Sequence, residues 1–91
     1  MEYKITIGNE RKGMTYEKVH NLAEKVKESV HGVTNYYVDF LVNEPLLGFE
    51  DLTTKSTYAI IKFCGKSFNP ATIMSEFCQE GNSIINSKCK T

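Results

Sequence analysis

Two hydrophobic periods alternate along this chain, and their order constrains its fold more than any other feature. Tyr3, Ile5 and Ile7 alternate with Glu2, Lys4 and Thr6, the two-residue period of a half-buried strand. The period then lengthens: Tyr16, Val19, Leu22, Ala23, Val26 and Val30 fall on one stripe at helical spacing. Thr15 is placed as its cap, Met14 and Val19 as a hydrophobic staple, and Gly32 as a left-handed stop, which predicts a helix over Tyr16 to His31. "VTNYYVDFLV" returns to the strand period, with Tyr36, Val38, Phe40 and Val42 on one side and Asn35, Tyr37, Asp39 and Leu41 on the other. "STYAIIKF" repeats it, with Ala59, Ile61 and Phe63 suited to face inward and Tyr58, Ile60 and Lys62 outward.

A second helix begins cleanly at "FNPATIM". Asn69 is its cap, Pro70 occupies the first helical position, Phe68 and Ile73 form a staple, and Gly81 ends it. Its predicted inner side is Ile73, Met74, Phe77 and Cys78. "NSIIN" reads as a short fourth strand, which makes residues 1–86 one α+β domain and leaves 87–91 as a frayed tail. Strand, helix, strand, strand, helix, strand is the order of a ferredoxin-like split βαβ sandwich, with both helices on one face of an antiparallel sheet. The other face is then open, and on it the pattern places Lys4, Thr6, Tyr37, Asp39, Leu41, Tyr58, Ile60 and Lys62.

In this topology the third-strand octet resembles a signature of the RNA recognition motif. Tyr58, Ala59, Ile61 and Phe63 match, while Ser56, Thr57 and Ile60 replace its basic residue, its glycine and its central stacking ring. "ITIGN" is similar to that family's other signature, except that Thr6 stands where an aromatic is expected. The resemblance implies shared architecture. Of the residues that stack on bases, it carries over Tyr58 alone, and Tyr37 is a candidate platform from outside the resemblance.

Charge argues against a nucleic-acid partner. Eleven basic and eleven acidic side chains cancel, and Arg11 is the single arginine, so neither the long-range field nor the bidentate fork that favours phosphate binding is present. Ten lysines, seven asparagines and seven isoleucines fit an AT-rich coding genome, as in bacteria, phages or other viruses. The first residues contain no apolar run resembling a signal or a span, and Cys64, Cys78 and Cys89 are odd in number and widely spaced. Reduced thiols and a cytoplasmic site of action are expected.

The chemistry-bearing patterns are incomplete. "GNERKGMT" has the glycines of a phosphate-cradling loop, but Met14 stands where the lysine belongs. A lesser role in anion binding falls to Arg11 and Lys12 near the helix start, against an ordinary solvated turn. His20 and Glu24 have metal-sharing spacing without a third ligand, and the cysteines form no C-x-x-C pair, so no metal, cofactor or catalytic set is expected. The connection "NEPLLGFEDLTTK", at about thirteen residues, is long for a hairpin. It is also apolar, carrying Leu46, Leu47, Phe49 and Leu52. Either it folds back over the core edge, with a helical turn at Phe49 to Leu52, or it docks on a partner.

These readings converge on a non-enzymatic protein-binding module. Its expected contact residues are Tyr37, Leu41, Tyr58, Ile60, Leu46, Leu47 and Phe49. It acts either as a homodimer or as an adaptor or inhibitor of a larger protein, a phage-type anti-defence inhibitor being one instance. The alternatives are single-stranded RNA or DNA binding on the same face, and nucleotide or anion binding by the Gly8 to Gly13 loop; a membrane partner is not expected.

Overall fold

The computed structural model describes residues 1–8, 14–45 and 55–90. Six elements follow one another in the expected order: β1 (Glu2–Gly8), α1 (Tyr16–Ser29), β2 (Val33–Pro45), β3 (Lys55–Gly65), α2 (Pro70–Gln79) and β4 (Ser83–Lys90). The sheet order is β2-β3-β1-β4, and each neighbouring pair is antiparallel. This is an α+β arrangement compatible with the ferredoxin-like one. Each helix links two strands that are separated by a third, so both crossovers lie over the sheet.

The helices begin where their caps dictate. Thr15 accepts a hydrogen bond from the Lys18 amide at 3.2 Å, and the Asn69 side-chain oxygen accepts one from the Ala71 amide at 3.0 Å, each satisfying a donor that the first turn leaves free. Val19, Ala23 and Val26 from α1, and Ile73 and Phe77 from α2, pack with Tyr3, Ile5, Ile7, Ala59, Ile61 and Phe63 of the sheet. Burial of each large apolar side chain contributes about 1.5–3 kcal/mol. A chain of aromatic contacts runs through this layer from Tyr36 to Phe63 to Phe77, with ring centroids 6.3 and 6.0 Å apart. The Tyr3 hydroxyl is buried in it without a hydrogen-bond partner among the described residues.

One close backbone crossing locks the end of the sheet to the α1–β2 turn. Gly32 has φ of +98°, and a Cβ on it would overlap the Ser67 carbonyl. A Cβ on Gly65 would overlap the Gly32 carbonyl in turn. The Lys66 amide donates to the Gly32 carbonyl at 3.2 Å, and the Gly65 amide to the Met1 carbonyl at 3.0 Å. The Met1 amine returns a bond to the Gly65 carbonyl at 2.9 Å.

Several boundaries differ from the sequence expectation. Residues 87–90 are not a tail: β4 continues to Lys90, pairing Ser87 with Ile5, Lys88 with Lys4, Cys89 with Tyr3 and Lys90 with Glu2. Backbone pairing with β1 extends the strand although its side chains supply no apolar alternation. β2 and β3 run on to Pro45 and Lys55, which shortens the connection. Its residues Leu46, Leu47, Phe49 and Leu52 lie outside the described residues, as do Arg11 and Lys12. Val42 is 58% exposed rather than inside, and Cys78 is exposed on α2. Among the described residues no helix is long and apolar enough to cross a membrane.

Candidate functional site

The helices cover one face of the sheet, and the register defines the other. Paired residues share a face, so the surface opposite the helices is built from rows that cross the strands. One row reads Asn35, Cys64, Glu2, Lys90; the next reads Tyr37, Lys62, Lys4, Lys88. A third reads Asp39, Ile60, Thr6, Asn86, and a fourth Leu41, Tyr58, Gly8, Ser83. The register shift between Thr6 and Ile7 leaves Ile85 as the extra residue on β4. Its Cδ1 lies 3.1 Å from where a Cβ on Gly8 would stand, so Ile85 fills the space that glycine leaves.

Four of the expected contact residues therefore do share this face, but not as equals. Tyr37 is 56% exposed, whereas Tyr58 is only 3% exposed. Tyr58 belongs to the face opposite Ala59 and Ile61 and yet is buried, which corrects its expected place as an open aromatic platform. The register sets it between Leu41 and Gly8, and both Leu41 and Ile60 are half-buried. Strand alternation gives the direction of a side chain but not its burial. The Ile85 bulge could not be read from "NSIIN".

Electrostatics distinguish the second row. The Lys62 ammonium stands 5.0 Å from the centroid of the Tyr37 ring and 3.6 Å from a Glu2 carboxylate oxygen, and the Asn35 side-chain Nδ2 donates to the Tyr37 hydroxyl at 3.2 Å. Tyr37 is thus exposed but oriented. Lys4 is exposed on β1, directly between Lys62 and Lys88. Lys4 and Lys62 were legible from alternation; Lys88 was missed because its segment lacks apolar residues.

A second polar cluster lies on the helical side. The Tyr36 hydroxyl donates to Glu24 at 2.6 Å and lies 3.1 Å from His20 Nδ1. Its one proton being engaged, it accepts from His20, which places a proton on Nδ1. Burial first, then the hydrogen bond to Glu24 and that carboxylate's charge, push the Tyr36 phenol up from 10.0 to about 12. The raised value favours the protonated phenol in the folded state. Its contribution to stability is intact below pH 10.0 and is lost as pH rises toward about 12. Tyr36→Phe is expected to cost roughly 1 kcal/mol at neutral pH. It should also flatten the alkaline loss of stability, as read from urea midpoints on either side of tyrosine ionisation. The cluster ties α1 to β2 and has no third metal-type ligand: among the described residues no three His, Cys, Asp or Glu side chains converge.

A groove of about 340 Å³ opens beside α1, lined by Met14, Lys18, Val19, Leu22 and Asn82 among others. An ion pair between Lys25 and Glu80, at 3.4 Å, joins two of its lining residues. No known protein-family model matches the chain, and a search of curated proteins finds no relative.

Proposed function

We propose that this protein is a small non-enzymatic binding module that docks on a larger protein through the face of its sheet opposite the helices. The observation that carries the reading is an exposed, oriented Tyr37 on the same face as the partly exposed Ile60 and Leu41, on a sheet whose helices both lie on the other side. Aromatic groups held in place lose little entropy on binding and supply much of an interface's energy. An inhibitor or adaptor acting in the cytoplasm, of viral or phage origin, fits the composition and the size of the chain. Self-association through the same face is the homodimeric form of this reading.

Tyr37→Asp and Leu41→Asp test it. Both residues sit on the sheet surface, so the variants are expected to keep the circular dichroism of the parent. Assembly in sedimentation velocity, or capture of a defined partner, should weaken by about 2 kcal/mol or more. Unchanged assembly and partner capture in both variants would end the proposal. The burial of Tyr58 removes one anchor that the sequence had offered, so the weight of the reading rests on Tyr37.

A further inference from the structure

We infer that the surface recognised by this face is acidic, and that the row Lys62–Lys4–Lys88 holds it. The inference rests on the binding-module reading and specifies its partner. Three lysines occupy one registered row on three adjacent strands, with Lys4 paired to Lys62 on one side and Lys88 on the other. Neighbouring strands are about 4.8 Å apart, so the backbones of the three lysines lie within roughly 10 Å of one another. Like charges directly opposite one another destabilise a sheet, and the fold retains two such pairs.

Ordinary explanations cover only part of the row. Lys88 and Lys90 lie on the edge strand β4, where lysine guards against edge-to-edge pairing. β1 is an interior strand, bonded on both sides, so edge protection does not account for Lys4. Lys62 has Glu2 at 3.6 Å, whereas among the described residues neither Lys4 nor Lys88 forms an ion pair. Glu2 and Asp39 are the only carboxylates in the four rows, against four lysines. The neutrality of the whole chain hides this local excess. A partner bearing carboxylates opposite the row, with apolar groups meeting Tyr37, Ile60 and Leu41, would relieve the repulsion and complement the rest of the face.

An acidic protein surface fits better than single-stranded nucleic acid. One side of the Tyr37 ring is taken by the Lys62 ammonium, and Ile60 and Thr6 fill the centre of the face where flat rings would receive bases. The four rows also contain no arginine.

Lys4→Glu tests this, because it converts both like-charge pairs into opposite-charge pairs. The melting temperature is expected to rise by roughly 1–5 °C. Binding of a short fluorescein-labelled poly-glutamate at low salt, read by anisotropy, should fall about tenfold or more. Lys18→Glu, on α1, should leave that binding unchanged, and Lys88→Glu serves as the second variant should Lys4→Glu fail to fold. No binding of poly-glutamate by the parent, or equal binding by Lys4→Glu, overturns the inference. Tighter binding of oligothymidylate than of poly-glutamate also overturns it, and assigns the face to nucleic acid. A defined partner lost on Tyr37→Asp but retained on Lys4→Glu keeps the binding-module reading and removes the acidic partner alone.

Discussion

Gly65→Ala is expected to prevent folding, or to lower stability by more than about 4 kcal/mol, a size reserved for a few mechanisms of which backbone overlap is one. The added methyl group would meet the Gly32 carbonyl, and both walls of the contact are main chain. A flexible side chain could turn aside, whereas here β3 would have to part from the α1–β2 turn. That would break the Lys66 bond to Gly32 and disturb the paired bonds between Gly65 and Met1. Gly32→Ala should behave alike, since its φ of +98° adds strain to an overlap with Ser67. Gly81→Ala is the control. Gly81 also has positive φ, at +83°, but nothing lies within 4 Å of a Cβ there, so the cost should be about 1–2 kcal/mol. Urea denaturation of the three variants separates overlap from conformational strain; a Gly65→Ala protein as stable as Gly81→Ala would show that the crossing is not tight.

Tyr58→Asp is the second large effect, and it reverses what the strand pattern alone suggests. On an open face the substitution would leave the monomer folded and remove a contact. At 3% exposure it instead replaces a large buried ring with a carboxylate that loses its water, at a cost of about 3–5 kcal/mol. Loss of the cooperative thermal transition is the expected result, while Tyr58→Phe should keep it. The pair Tyr58→Asp and Tyr37→Asp thus divides the two outward tyrosines into a structural one and a surface one. Two folded, equally stable aspartate variants would contradict that division.

The difference between those tyrosines shows where the sequence stops being informative. Alternation correctly assigned Ile5, Ile7, Ile61 and Phe63 to the helical side, and helical spacing assigned Val19, Ala23, Val26, Ile73 and Phe77, because each pattern reports a local geometry that repeats along its own element. The caps at Thr15 and Asn69 were legible for the same reason. Burial on the far face depends on relations between elements. Tyr58 was unreadable because the alternation of β3 sets its direction, between Leu41 and Gly8 in the register, and not its burial. The lysine row was half readable: Lys4 and Lys62 alternate correctly, but Lys88 joins them only because main-chain pairing carries β4 to Lys90. Val42 and Tyr16 erred the other way, continuing an apolar stripe that ends up 58% and 53% exposed.

The five tyrosines also make the molecule its own reporter. Tyr3 and Tyr58 are shielded at 2% and 3% exposure, and the Tyr36 ring is half-buried against the core. That leaves Tyr16 and Tyr37 open to nitration, at 53% and 56%, one on a helix and one on the far side of the sheet. Mass-spectrometric footprinting of any complex then carries an internal standard, since a ligand seated on the sheet silences the reaction at Tyr37 while Tyr16 continues to react.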